Sequence, residues 1–299
     1  MDEIKKYRDK LFEYGIKCSK ISTLLPFILQ SDSNYINHDK ANCILISGPT
    51  GSGKTRLASI IRELSSFPMV TIDAKELSEV GYSGKDVSTI FEKLYLITPD
   101  GDLEKFTNGI IHIDEFDKLR ETKIGEKDVS GIGVQQSLLK PIDGVDIELT
   151  LSQESRMIQN KKVMINTRKM LFIFTGTFNG QHIETQKDLI TCGFLPELAN
   201  RIDFIFNLNP STANDFLSLI QNNNNFINSA VEYAKSMNIF VGFDSSFKEK
   251  LASESLVYGG NYRSIKYIFN NVVYRKIIDL FLNDKNNYIF SKDDIHKLI

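Results

Sequence analysis

The hydrophobic and polar positions of this chain follow two regimes. Up to residue 206, short apolar runs recur between longer mixed stretches: Cys43-Ile44-Leu45-Ile46-Ser47, Met69-Val70-Thr71-Ile72-Asp73, Ile110-Ile111-His112-Ile113-Asp114, Leu171-Phe172-Ile173-Phe174 and Phe204-Ile205-Phe206. Runs this short and this apolar predict buried strands. Between them, residues 56–63, 87–96 and 134–139 predict helices, and residues 31–41 and the glycine-containing 127–133 predict loops. Residues 146–151 and 162–166 alternate partially on either side of a polar loop holding Arg156, as a β-hairpin does. Ahead of the first strand, Ile4, Tyr7, Leu11 and Tyr14 recur at helical spacing. Gly15-Ile16-Lys17 interrupts that spacing, and Ile21, Leu24, Leu25 and Ile28 resume it, which predicts a helix pair packed through those stripes.

From residue 207 the pattern turns mainly helical. Residues 212–221, 227–236, 246–255 and 262–282 predict four helices, with a short strand at 287–290 and a capped terminal helix at 291–299. The change divides the chain into a large α/β domain, residues 1–206, and a small, mostly helical domain, residues 207–299. Gly259-Gly260-Asn261-Tyr262-Arg263 opens the long helix. Arg263 there is either a solvated first-turn residue or, because a cation at a helix N-terminus opposes the dipole, one that waits for an anionic partner.

The 299 residues carry 36 Lys and Arg against 38 Asp and Glu, a net charge of −2. That balance gives no electrostatic reason to expect nucleic acid as the main partner. No apolar run approaches the ~20 residues of a membrane span. The charged start Met1-Asp2-Glu3-Ile4-Lys5-Lys6 is not a signal peptide, so a soluble, cytoplasmic protein is expected. Cys18, Cys43 and Cys192 never stand in CxxC spacing, which supports neither a disulfide framework nor zinc.

The candidate chemistry begins where the first strand ends. Gly48-Pro49-Thr50-Gly51-Ser52-Gly53-Lys54-Thr55 follows that strand and leads into a helix, the context in which GxxxxGK[ST] is a phosphate-binding P-loop. Glycines let backbone N–H groups approach phosphate oxygens, Lys54 reaches the β- and γ-phosphates, and the Thr55 hydroxyl ligates Mg²⁺. The strand at 110–114 ends in Asp114 and Glu115. At such a strand end an Asp holds the Mg²⁺ and an adjacent Glu can deprotonate the attacking water, although an acidic pair can also merely cap the next turn. His112, inside the strand, reads as a packed neutral imidazole. Thr175-Gly176-Thr177 ends the fourth strand, where a polar side chain beside the P-loop can sense a γ-phosphate. Gly81-Tyr82-Ser83-Gly84 holds an aromatic between glycines with no apolar neighbours. It is an ordinary turn or, given its place after the second strand of a P-loop domain, a gripping loop.

Taken in order, these motifs resemble the AAA+ ATPases, and within them the ATPase part of the ClpX-type protein unfoldases. The resemblance runs from Tyr14-Gly15-Ile16 through Gly48 to Thr55, Gly81-Tyr82-Ser83-Gly84 and Ile113-Asp114-Glu115-Phe116-Asp117-Lys118. It continues through residues 128–140, the most specific stretch, then Phe194-Leu195-Pro196-Glu197-Leu198-Ala199-Asn200-Arg201 and the Arg263 region, and so covers nearly the whole chain.

The resemblance implies a three-layer α/β/α P-loop domain followed by a helical lid, with ATP and Mg²⁺ as cofactors. Tyr14 and Ile16 would lie at the adenine, Arg201 would be an arginine finger, Arg263 the sensor-2 arginine, and Thr177 would stand where the wider family has its sensor-1 Asn. Tyr82 would grip polypeptide in the pore of a ring, a homohexamer, with residues 128–133 as a second pore loop and Arg156 in a pore-entrance loop. The implied activity is an ATP-dependent protein unfoldase or chaperone. The alternatives are an AAA+ motor on nucleic acid, against which the near-neutral charge speaks, and a slowly hydrolysing ATP-binding regulatory module, against which Lys54, Asp114, Glu115 and Arg201 speak. The pattern departs from the family in several places, with Ser83 and Ile132 in place of the Val and Glu more usual in the ClpX type. The N-terminal zinc domain has no counterpart, and no apolar-Gly-Phe docking tripeptide lies between Phe178 and Leu189, so a peptidase partner is not expected.

Overall fold

A computed structural model describes residues 39–77, 87–120, 129–151, 161–222 and 225–295, together with residues 5, 7–9, 11 and 21. Five parallel strands form its central sheet: β1 (Asn42–Ser47), β2 (Met69–Asp73), β3 (Ile110–Asp114), β6 (Leu171–Gly176) and β7 (Phe204–Asn207), in the order β2-β3-β6-β1-β7. β1 and β6 are buried at every position, whereas the edge strands β2 and β7 are only partly covered. Strands covered on both faces have no polar side to show, which is why the inner runs are continuously apolar.

The connections are helical: α1 (Lys54–Leu64), α2 (Ser88–Leu96), α3 (Leu103–Thr107), α4 (Val129–Ile142), α5 (Gln186–Thr191) and α6 (Pro196–Ala199). With the sheet they make a three-layer α/β/α domain. β4 (Asp146–Leu151) and β5 (Lys161–Asn166) form a separate antiparallel hairpin. The core runs from Leu45 and Ile113 to Phe172 and Phe174. Phe116 packs on Phe174 and Phe194 with ring centroids 4.3 and 4.8 Å apart, anchoring the turn that follows β3.

One expected loop is helical instead. Residues 129–133, expected as loop, are the first turns of α4. A Cβ at Gly131 would come within 2.6 Å of the Leu119 carbonyl oxygen, so this glycine permits close packing rather than a turn. Gln135, buried one turn on, donates to that same carbonyl at 2.6 Å and accepts the Leu195 N–H at 2.8 Å.

The chain divides into two compact units, with the main boundary between Leu208 and Asn209. The second unit contains α7 (Ala213–Asn222), α8 (Asn225–Ser236), β8 (Phe240–Phe243), α9 (Ser245–Tyr258), α10 (Tyr262–Leu282), β9 (Asn287–Phe290) and α11 (Lys292–Ile295). β8 pairs in parallel with β9. Its own core contains Phe247, Phe269 and Phe290, and the partly buried Phe243 stacks on Phe290 at 4.9 Å. Asp244 caps α9 by accepting the Phe247 N–H at 2.7 Å, and Asn261 caps α10 by accepting the Ser264 N–H at 3.0 Å. Of the predicted N-terminal helix pair only scattered residues are described, and Tyr14 and Ile16 lie outside them.

Candidate active site

The C-terminal edge of a parallel sheet is where α/β folds place their ligands. Here that edge carries the loop after β1, the acids after β3 and the polar turn after β6. Gly51 and Gly53 have φ of +82° and +94°, backbone that L side chains resist. Lys54 opens α1 with its side chain buried, and its ammonium donates to the Gly48 and Pro49 carbonyls at 2.6 and 2.8 Å. Burial pushes the Lys54 pKa below the ordinary lysine value, and the charges of Asp114 and Asp117 pull it partly back.

Ser47, at the end of β1, and Ser52, within the loop, have buried hydroxyls without hydrogen-bond partners among the described residues. A buried cation whose hydrogen bonds among the described residues go to carbonyls, beside orphaned hydroxyls and glycines that admit close backbone approach, fits a polyphosphate. The exposed Thr55 hydroxyl and the Asp114 carboxylate are the hard oxygen donors that suit Mg²⁺.

Asp114 ends β3, and its Oδ1 accepts the Glu115 N–H at 2.9 Å and the Thr175 hydroxyl at 2.6 Å. Glu115 then turns left-handed, with φ +54°, a conformation costing about 1 kcal/mol or more for a non-glycine residue and concentrated at functional sites. Its carboxylate forms an ion pair with Lys75, which follows β2. The hydrogen bond to Glu115 raises the Lys75 pKa above the ordinary lysine value. Asp117, buried, accepts the Thr177 N–H at 3.0 Å and the Thr177 hydroxyl at 3.3 Å, tying the turn after β3 to the turn after β6. Phe178 and Asn179 just beyond are also left-handed.

Arg201 follows α6 and pairs in a fork with Asp143, just past α4; the contact raises its pKa further. Arg263 is exposed in the first turn of α10. Gly81, Tyr82, Ser83 and Gly84 lie outside the described residues, as do Asp128 and Arg156. Lys75, Asp117 and Asp143 are site neighbours that the sequence did not single out, whereas Thr175 lay in the polar turn already noted after the fourth strand. Of those three only Asp117 carried a signal, lying three residues beyond Asp114 in a motif already noted. Burial pushes the Cys43 thiol far up, which leaves it inert. Among the described residues no group of acids, histidines and cysteines could hold a metal by itself, and no helix is long and apolar enough to cross a membrane.

The sequence was compared with known proteins. The profile of the AAA domain (Cdc48 subfamily) matches residues 39–205. The ATP-dependent Clp protease ATP-binding subunit ClpX 2 of Wolinella succinogenes is 30% identical over 266 residues, 80% of this chain and 66% of that protein. The ClpX subunit of Porphyromonas gingivalis is 27% identical over 297 residues, 88% of this chain and 72% of that protein. The mitochondrial ATP-dependent clpX-like chaperone of Saccharomyces cerevisiae is 36% identical over 176 residues, 52% of this chain and 34% of that protein. The chain thus spans 66% and 72% of the two bacterial relatives' lengths. With the profile running from just before β1 into β7 and taking in the loop after β1, this chain belongs to the AAA domain family (Cdc48 subfamily) and is similar to ClpX over most of its length.

Proposed function

We propose that this protein is an ATP-hydrolysing protein remodeller of the ClpX-like kind, working as a homohexameric ring that draws polypeptide through its pore. The observation that carries the reading is the buried Lys54 ammonium within electrostatic reach of Asp114 and Asp117, on a glycine loop at the sheet's C-terminal edge. That edge supplies a phosphate cradle and a pair of carboxylates, as phosphoryl transfer to water requires.

Lys54 and the backbone of Gly48, Pro49, Thr50, Gly51, Ser52 and Gly53 bind and orient the phosphates, and Thr55 and Asp114 hold the cation. Mg²⁺, when bound, neutralises charge building on the transferred phosphoryl group. Glu115 takes the proton of the attacking water at its carboxylate, so its ion pair with Lys75 must loosen in the reacting state. Arg201 reaches the nucleotide of the neighbouring subunit, Arg263 serves as sensor 2, and Thr177, held by Asp117, stands at the sensor-1 position. Tyr14 and Ile16 contact the adenine, and Tyr82 between its glycines grips the protein substrate. Residues 1–206 are the nucleotide-binding domain and residues 207–299 the lid.

The test is a substrate trap. Glu115→Gln is expected to bind ATP as the unaltered protein does, to stop hydrolysis and to hold its protein substrate through pull-down in ATP. Near-normal turnover in that variant removes Glu115 from its role, and DNA in place of protein in the trapped complex replaces the reading with a nucleic-acid motor.

A further inference from the structure

Two polar side chains stand in the buried middle of the sheet with no packing reason to be there. His112 on β3 and Thr175 on β6 are fully buried, in strands whose other inner positions are apolar. A polar group so placed costs stability unless its hydrogen bonds are met. Here they are met in a line that ends on Asp114.

The register explains how. Thr71 is opposite His112 and His112 opposite Ile173, so these three share one face of the sheet, and Asp114 and Thr175, two residues on, share it too. An ionised carboxylate only accepts, so the Thr175 hydroxyl donates to Asp114 Oδ1 at 2.6 Å. With its one proton committed, the Thr175 oxygen must accept from His112 Nε2, 2.9 Å away, which makes Nε2 the protonated nitrogen. On the other side of the ring the Thr71 oxygen accepts from Arg62 Nη2 at 2.7 Å, which leaves the Thr71 hydroxyl proton to donate to His112 Nδ1, 3.2 Å away. Every donor therefore points the same way, from the outer face of α1 to the acid at the end of β3. Asp114 Oδ1 also takes the Glu115 N–H, so this oxygen is committed to two donors of its own chain.

We propose that His112 and Thr175 are positioning residues for Asp114: they lock Oδ1 and so present Oδ2 to the divalent cation, an inference that rests on the reading of Asp114 as a cation-holding residue. Partners one shell behind a metal ligand typically change metal affinity by about 10–100-fold when removed. A merely structural pair would not move that affinity.

The test measures Mn²⁺ binding to the full chain in ATP by electron paramagnetic resonance, with ATP binding in EDTA measured alongside. Thr175→Val is expected to weaken Mn²⁺ binding at least about tenfold while ATP binding in EDTA stays unchanged, and Thr175→Ser to restore it. Unchanged Mn²⁺ affinity in Thr175→Val overturns the proposal. Should that variant not fold, ¹⁵N NMR of the unaltered protein decides, with the His112 signal identified by its loss in His112→Gln. An Nε2–H tautomer is expected, and Nδ1–H overturns the proposal. Asp114→Asn separates the two levels of argument. If it binds Mn²⁺ with ATP as tightly as the unaltered protein, the reading of Asp114 has failed. If it binds weakly and Thr175→Val does not, only the positioning role has failed.

Discussion

Arg201 grips Asp143 through two parallel hydrogen bonds, Nε to Oδ1 at 2.5 Å and Nη2 to Oδ2 at 2.8 Å, while Nη1 donates to the Glu197 carbonyl at 2.5 Å. All three guanidinium nitrogens are thus engaged by this chain, and the direction in which the cation points is set before any neighbour arrives. Both side chains remain partly exposed, so the pair adds little to stability: such contacts contribute ~0.2–1 kcal/mol after solvent screening. Its consequence is orientation.

If Arg201 completes a neighbour's site, Arg201→Ala lowers steady-state ATP hydrolysis by about 10³-fold or more while nucleotide binding stays within twofold. Arg201→Lys is nearly as poor, because an ammonium keeps the charge but not the fork. Asp143→Ala loses less than Arg201→Ala, since the cation survives without its guide. Hydrolysis and nucleotide titration across the three variants check this; an Asp143→Ala loss as deep as that of Arg201→Ala would show Asp143 doing more than orienting.

Glu115 and Lys75 raise the opposite case, a candidate base restrained by a neighbouring cation. Replacing Lys75 by Met frees the carboxylate to accept a proton. The expected rise in basal hydrolysis is only about two- to fivefold, because the pair is exposed and screened by solvent. The excess over the unaltered protein shrinks as salt is added, because salt loosens the pair in the latter. A drop in rate instead would mean that Lys75 orients Glu115 productively.

These two pairs also mark the limit of what the sequence discloses. The strands at Met69–Asp73 and Ile110–Asp114 and the helix at Tyr262–Leu282 were legible because one element's burial pattern is written in its own residues. The acids at the end of β3 and the glycine loop after β1 were legible as motifs for the same reason. Asp143 and Arg201 lie 58 residues apart and Asp117 and Thr177 lie 60 apart, and neither periodicity nor spacing says which distant residues meet. The start of α4 was hidden differently: Gly131 and Gly133 read as loop formers, and only the nearby Leu119 carbonyl shows that Gly131 is there for close contact. The short α3 and the strand β8 gave no signal strong enough to read.

His112 makes stability depend on pH. Burial lowers its pKa to about 4, below the 6.5 of the unfolded chain. Above pH 6.5 the imidazole is neutral in both states and contributes nothing to the dependence. Between pH 6.5 and about 4 the unfolded chain takes up a proton that the folded chain refuses, so stability falls as pH falls, by up to about 1.4 kcal/mol per unit. Urea unfolding at pH 7, 6 and 5 is expected to show a shallower fall in His112→Gln than in the unaltered protein. Parallel curves would mean that His112 titrates alike in both states.

Gly131→Ala sets two effects against each other. Alanine is the better helix former by about 1 kcal/mol, and Gly131 lies inside α4, so propensity alone predicts a gain. The new methyl, however, would meet the Leu119 carbonyl oxygen at 2.6 Å and the carbonyl carbon at 3.1 Å, and both are backbone atoms that no rotamer change can move aside. Relief requires α4 to shift away from the turn at Phe116–Leu119, which also breaks the 2.6 Å bond from Gln135 Nε2 to the Leu119 carbonyl. Overpacking of this kind costs typically 1–3 kcal/mol and the lost bond about 0.5–1.5 kcal/mol, so the clash outweighs the propensity. The expected net change is a destabilisation of about 1–3 kcal/mol, read as a lower midpoint in urea at unchanged slope. Because Asp117 lies in the same turn and holds Thr177, hydrolysis should fall with stability; a stabilised Gly131→Ala protein would show that α4 does not pack there as closely as Gly131 allows.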